Sequence, residues 1–327
     1  MERVGKSLAR VKEENFFLKL SLRDFVTGTI PLLANFLISL TTASYYFARQ
    51  IVSQTYLHFM TPIATISFLG TGSGIPSANR FFSSALFYFR GIHLLIDAGE
   101  PCVHLLRDRG NLLQEIDAVL ITHGHVDHIG GVPALLQGCM LLGRTKPLPI
   151  YLPEEMIAPL RTWISALYLT EEGLGFPVSW NSWKNATLEL LQGTLSVTPH
   201  CTQHLDKCYR TLPGADPTRP CHSYSLEIVE GEFRVLFSGD LAQASDLTPL
   251  LSNPKSVPMT VLICEMAHFS ALELVKVLRG APVETLCLVH LSEENAENRS
   301  ELKFQMEELL PEIQDVIIPE DGEVLDF

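Results

Sequence analysis

Three histidines and an aspartate fall within six residues in His123-Gly124-His125-Val126-Asp127-His128. The stretch follows Asp117-Ala118-Val119-Leu120-Ile121-Thr122, an apolar, β-branched run with the length of a buried strand. The side chains would therefore leave the end of a rigid strand on a tight turn. Gly124 permits close backbone approach, and Gly130-Gly131 precede an expected helix from Val132 to Gly138. Imidazole nitrogen and carboxylate oxygen are both donors that zinc accepts, and this spacing offers them in one loop. Eleven histidines scattered over 327 residues would seldom place three beside an aspartate, so a loop of merely solvated histidines is set aside.

His-x-His-x-Asp-His after an apolar strand resembles the metal motif of the metallo-β-lactamase fold. Two further stretches, Phe68-Leu69-Gly70-Thr71-Gly72-Ser73-Gly74-Ile75-Pro76-Ser77 and Leu94-Leu95-Ile96-Asp97-Ala98-Gly99-Glu100, resemble the opening strands of ribonuclease Z. Ribonuclease Z is the tRNA 3′-end endonuclease of that superfamily, and the resemblance covers roughly residues 63 to 318. It implies an α/β fold, a four-layer αβ/βα sandwich with the site at one edge of two sheets. It also implies two Zn²⁺ ions and a homodimer, as is common among such enzymes. The alternation of strand and helix patterns alone supports only mixed α/β.

A two-ion site needs more donors than one loop supplies, and the resemblance implies three more from later strand ends. The first follows the expected strand Thr194–Thr198, where His200 and His204 compete. The Thr-x-His arrangement at Thr202 and His204 is closer to the superfamily pattern, so His204 is preferred and His200 stays its rival. The second is Asp240, at the end of Phe233-Arg234-Val235-Leu236-Phe237-Ser238-Gly239-Asp240, which resembles the bridging-aspartate motif. The third is His290, closing the strand pattern Glu284–Val289. His123, His125 and His204 would hold one zinc, Asp127, His128 and His290 the other, with Asp240 between them. Water held there would supply the attacking hydroxide, which Asp127 could also orient. Asp97 is expected either to support the metal loop through hydrogen bonds or to be a simple turn residue. Glu265 matches the acid of a His-Glu-Ala-Thr stretch of ribonuclease Z, although Cys264 replaces its histidine. His268 lies three residues on and would share a helical face with Glu265, making the pair a candidate general acid.

Around these residues the patterns read as strands Ile63–Leu69, Ser84–Phe89, Ile92–Asp97 and Leu148–Leu152, and helices Val103–Gly110 and Glu154–Leu169. Gly70–Gly74 lacks the Lys-Ser/Thr ending of a P-loop and reads as a structural turn. His93 and His104 read as structural residues. Trp163, Trp180 and Trp183 read as core or cover rather than a base-stacking platform.

Residues 1–60 form an apolar extension and 61–327 the hydrolase domain. The extension carries seven Lys/Arg and four Asp/Glu, a net of +3, which leaves −16 of the total −13 on the remainder. Residues 25–48 hold no charged side chain, long enough to reach across a bilayer but diluted by Gly28, Pro31 and Asn35. The extension is read as a helical piece packed on the domain or lying on a membrane surface, as a membrane anchor, or as sequence ahead of a natural start at Met60. An anchor with six basic residues before it would export the catalytic part. That conflicts with seven scattered cysteines, which read as thiols of a reducing, cytoplasmic compartment.

Three departures from ribonuclease Z stand out. Gly124 and Val126 occupy places where that family more often has a bulkier residue and glycine. Leu205 to His222 is an extra stretch, and within it Cys208, Cys221 and His222, with Cys201 just before, could form a zinc knuckle. Residues 153–190 hold only Arg161 and Lys184 as basic residues and no Gly-rich basic arm to grip tRNA. An acidic chain attracts polyanions poorly. The expectation is a dizinc phosphodiesterase of ribonuclease Z type acting on precursor tRNA. The alternatives are a phosphodiesterase for a small nucleotide, a thioester or lactone hydrolase, and a non-catalytic, membrane-tethered binding module.

Overall fold

The computed structural model describes residues 64–75, 77–184, 187–252 and 258–327. Residues 63–327 form one compact unit by their internal contacts. The expectations for the extension, including membrane association through residues 25–48 and a start at Met60, lie outside the described residues. Among the described residues no helix is long and apolar enough to cross a membrane.

Two seven-stranded sheets face each other. The first has the order β14-β1-β2-β3-β4-β5-β6, with β1 Ala64–Gly70, β2 Ser84–Phe89, β3 Ile92–Ile96, β4 Ala118–Leu120, β5 Leu148–Leu152, β6 Val178–Ser182 and β14 Val324–Asp326. The second has the order β13-β12-β11-β10-β9-β8-β7. Its strands are β7 Leu188–Leu190, β8 Leu195–Thr202, β9 Ser223–Glu230, β10 Phe233–Phe237, β11 Met259–Met266, β12 Val283–Leu291 and β13 Asp315–Ile317. Each sheet is half antiparallel and half parallel: β1-β2-β3 and β7 to β10 run as meanders, β3 to β6 and β10 to β13 in parallel.

Parallel neighbours need crossovers, and helices supply them on the outer faces. α1 (Cys102–Asp108), α2 (Val126–Ile129), α3 (Val132–Leu141), α4 (Glu154–Ala166) and α5 (Glu171–Leu174) belong to the first half. α6 (His204–Arg210) follows β8, and α7 (Thr248–Leu251), α8 (Ala271–Leu278), α9 (Glu293–Glu297) and α10 (Arg299–Leu309) follow later strands. The period-2 alternation of the strands assigns each residue to a layer. Ala118 and Leu120 of β4 enter the core between the sheets, with Ile66, Phe87, Val235 and Phe237. Val119 points the other way, to Leu106, Leu135 and Leu160 of the first helical layer. Leu262 and Cys264 of β11 meet Leu274, Leu278 and Met306 of the second. Phe87 and Phe237 cross between the sheets edge to face, with centroids 6.5 Å apart. The architecture is thus the α/β, four-layer αβ/βα sandwich expected.

Boundaries move by a few residues. The strand before the metal loop is shorter than Asp117–Thr122, and the following helix runs past Gly138 to Leu141. Val126–Ile129 is a short helix rather than a plain turn. Leu148–Leu152 and Ser84–Phe89 match, the latter pairing with β3 across Arg90-Gly91, both at positive φ as a tight hairpin needs. The Gly-rich turn after β1 is structural: a Cβ on Gly70 would lie 1.8 Å from the Phe82 carbonyl oxygen. Asp321 holds the turn from the C-terminal side by accepting from Thr71 N at 2.9 Å and from the Phe81 amide.

Candidate metal centre

β3, β4, β10, β11 and β12 end at one rim, and each end contributes to a single site. Ligands gather at the carboxyl ends of parallel strands because side chains from several strands converge there on a rigid base. His123, His125, Asp127 and His128 follow β4; Asp240 follows β10; His290 lies near the end of β12. His204 is the first residue of α6.

Asp240 is central. Its Oδ2 lies 3.7 Å from His123 Nε2, 3.5 Å from His204 Nε2 and 3.3 Å from His290 Nε2. Its Oδ1 lies 3.4 Å from His128 Nε2. His125 turns its Nδ1 toward His123 Nε2 at 3.1 Å and His204 Nε2 at 3.2 Å. Asp127 Oδ2 is 3.4 Å from His128 Nε2 and 4.0 Å from His290 Nε2. Three groups of donor atoms each fall within 4.8 Å of one another: His123, His125, His204 and Asp240; Asp127, His128 and His290; and Asp240, His268 and His290.

The donor set fits metal ions. His128 Nε2 and Asp240 Oδ1 are buried with no hydrogen-bond partner, although they face each other. Buried polar atoms left unpaired are costly, and a cation held between them would satisfy both. Burial, reinforced by neighbouring His128, holds His123 well below its ordinary value, and burial takes His204 down to about 4. Both are therefore neutral, the form a metal accepts. His128 differs: burial opposes its charge, yet Asp240 and Asp97 hold it well above the usual histidine range. Asp240 is held well below the carboxylate range, its burial outweighed chiefly by His290 and His128.

The outer ring nitrogens are anchored. His128 Nδ1 sits 2.7 Å from Asp97 Oδ2, His290 Nδ1 2.7 Å from Ser83 Oγ, and His123 Nδ1 3.1 Å from Thr122 Oγ1. Asp97 also accepts from Thr122 N at 2.7 Å, so it ties the metal loop to β3 rather than serving as a bare turn residue. Asp97 and His290 take positive φ, 54° and 49°, a strained backbone for non-glycine residues that aims both side chains at the rim. Removing a hydrogen-bonded outer partner commonly costs about 10–100-fold in metal affinity. Asp97→Ala is accordingly expected to weaken metal binding by about that factor in chelator competition.

β8 continues through Thr202, where a strand ending near Thr198 was expected, because Ser223–Ser225 of β9 pair with it. His200 therefore sits inside the strand, 2.7 Å from Glu227 Oε2, away from the cluster, and His204 enters it. His204→Ala should lower metal content, and His200→Ala should leave it unchanged; equal retention in elemental analysis would contradict this placement.

Glu265 and His268 meet, but not on a helix. Glu265 is the penultimate residue of β11 and His268 lies in the turn before α8. The Glu265 carboxylate accepts from Leu241 N, Ala267 N and His268 N, and lies 2.8 Å from His268 Nδ1. Burial lowers the basicity of His268, but the bond to Glu265 outweighs it and the pKa is raised. Cys201, Cys208, Cys221 and His222 join none of the donor groups found among the described residues, so the zinc-knuckle expectation is withdrawn. Cys208 Sγ instead lies 3.8 Å from His204 Nδ1, one helical turn away, and His222 pairs with Glu155. Ser83 carries no sign in the sequence of its contact with His290, Thr122 is marked there only as the end of a strand and Cys208 only as part of a possible knuckle, since no local pattern marks a residue that bonds a distant side chain.

A family model described as Anti-Pycsar protein Apyc1 matches residues 64–307. The chain belongs to this family. Every donor of the Apyc1-family site, from His123 to His290, falls inside the matched span. The chain is also 31% identical over 238 residues to ribonuclease Z of Pseudomonas putida, covering 68% of this chain and 70% of that protein. Matches to ribonuclease Z of Clostridium novyi and Clostridium beijerinckii are shorter and span 29% and 42% of those proteins. Among solved structures, the metallo-β-lactamase fold protein YhfI from Bacillus subtilis aligns with TM-score 0.63 at 21% identity, covering 81% of this chain and 99% of that one. Human tRNase Z, short form, aligns with TM-score 0.59 at 19% identity, covering 80% and 98%. These likenesses establish the metallo-β-lactamase fold of the Apyc1-family chain.

Proposed function

We propose that this protein is a zinc-dependent phosphodiesterase of ribonuclease Z type chemistry whose substrate is a small nucleotide diester. The observation that carries the reading is the sharing of Asp240 between two sets of buried donors. His123, His125 and His204 would hold one ion, Asp127, His128 and His290 a second, and Asp240 would contact both. Bound there, a pair of ions would supply Lewis-acid polarisation of phosphoryl oxygens and an acidified water.

The protein's own groups do the rest. Asp240, held ionised, offsets positive charge at the centre. Asp127, on the first turn of α2, lies where it can orient an attacking water as well as bind. Asp97, Ser83 and Thr122 hold the rings of His128, His290 and His123 in place through their Nδ1 atoms. Glu265 is buried and accepts four hydrogen bonds, so it positions His268 instead of exchanging protons itself. His268, with Nδ1 tied to Glu265, keeps Nε2 to protonate the departing oxygen.

Residues 153–190 favour a small substrate. The described residues among them form α4, α5, β6 and β7, and no basic arm protrudes from these elements. Their two basic residues are engaged: Arg161 pairs with Glu171 at 2.9 Å and Lys184 with Glu154 at 3.2 Å. Kinship with ribonuclease Z favours a second reading, cleavage of precursor tRNA at its 3′ trailer. The deciding assay gives zinc-loaded protein both substrates, beside a chelated sample. Hydrolysis of bis(p-nitrophenyl) phosphate, lost on chelation, with the trailer left intact, is the expected result. Metal-dependent cleavage at the discriminator base would transfer the assignment to tRNA processing, and no hydrolysis of either would overturn the phosphodiesterase reading.

A further inference from the structure

Two of the departures from ribonuclease Z meet at one place. Gly124, in the metal loop, leaves room for Met156 of α4: a Cβ there would lie 2.7 Å from the Met156 sulfur. The extra stretch Leu205–His222 begins in α6 and folds back toward α4, where His222 N donates to Glu155 at 2.6 Å. Between them lies a cleft of about 330 Å³ that opens beside His125 and is lined by Met156, Tyr209, Leu212 and Arg219. A bulkier residue at position 124, or loss of the insertion, would remove one of its walls.

We propose that this cleft is a specificity subsite that receives the planar base of a nucleotide whose phosphate lies at the metal centre. The inference rests on the phosphodiesterase reading. Its chemistry follows from the lining. The Arg219 guanidinium carbon lies over the Tyr209 ring, 5.6 Å from its centroid, so one wall pairs an aromatic ring with a planar cation. Tyr209 is itself fixed by a hydrogen bond from Asp216 N at 3.1 Å. Met156 and Leu212 supply apolar contact, and Arg219 supplies donors for a ring carbonyl or nitrogen. The Glu155 carboxylate is already committed to His222, so it does not leave an unpaired anion in the cleft. The volume is at the low end of small-molecule sites and suits one nucleoside rather than a duplex stem.

The test compares two diesters with the same leaving group, thymidine 5′-(p-nitrophenyl phosphate) and methyl p-nitrophenyl phosphate, on zinc-loaded full-length protein. Stacking one base on an aromatic surface supports a preference in kcat/KM of roughly 10-fold to 100-fold for the nucleotide. Tyr209→Ala should cut that ratio by about 10-fold or more, chiefly through a higher KM for the nucleotide. Arg219→Ala, at an exposed position, gives the same reading should Tyr209→Ala fail to fold, with zinc content as the check on the centre. Hydrolysis of both diesters at equal kcat/KM, or a ratio that neither variant moves, would overturn the subsite while leaving the phosphodiesterase reading intact. Failure to hydrolyse either diester would overturn both.

Discussion

Asp240→Ala is expected to lower phosphodiester hydrolysis by at least about 100-fold and to reduce bound metal below two ions per chain. Loss of a residue one shell removed from a metal already costs about 10–100-fold, and Asp240 faces four histidines directly, at 3.3 to 3.7 Å. Its anion also offsets the charge that any bound cation brings into a buried site. Asp240→Asn keeps the volume and one oxygen but not the charge, so it separates electrostatics from space filling. It is expected to fall with the alanine variant rather than with the wild type. Elemental analysis and kcat/KM on one preparation check this, and full activity in either variant would remove Asp240 from the centre of the account.

Trp183→Ala is expected to cost about 3–5 kcal/mol of stability, the range for truncating a large buried aromatic. Trp183 is 1% exposed and packs with its ring centroid 5.0 Å from that of Tyr151. Its Nε1 donates to the Ile121 carbonyl at 2.8 Å, two residues before His123. Truncation therefore also orphans a buried acceptor at the base of the metal loop, which by itself costs about 1–3 kcal/mol. Trp183→Phe keeps most of the packing and loses only the hydrogen bond, so it should fall between the two. Urea unfolding of metal-loaded protein measures the series. An alanine variant within about 1 kcal/mol of wild type would show that the tryptophan is cover rather than core.

The sequence showed the consecutive donors best. His123, His125, Asp127 and His128 share one loop, and their meaning depends on nothing far away. Asp240 and His290 were legible through the resemblance, each standing at the end of an apolar strand pattern where the superfamily places a metal ligand. The choice between His200 and His204 was not legible in the same way. It depends on where β8 stops, and that is set by Ser223–Ser225 of β9, about twenty residues later. Glu265 and His268 were matched by a helical spacing, yet they meet through a turn whose amides the glutamate accepts. The sequence cannot separate those geometries, because both bring residues three apart together. Ser83 has no signature at all, Cys208 suggested a knuckle rather than its place beside His204, and the positive φ at Asp97 and His290 is imposed by the surrounding sheets. The cleft beside His125 was present in the sequence only as two unrelated oddities, Gly124 and an insertion about eighty residues away.

The central claim is that seven side chains form two adjoining metal positions that share Asp240. Anomalous diffraction at the zinc edge from crystals of zinc-loaded protein tests it most directly. The account predicts two peaks, one among His123, His125 and His204 and one among Asp127, His128 and His290, with Asp240 contacting both. A single peak held by Asp240, His268 and His290, with the remaining histidines unoccupied, would contradict it.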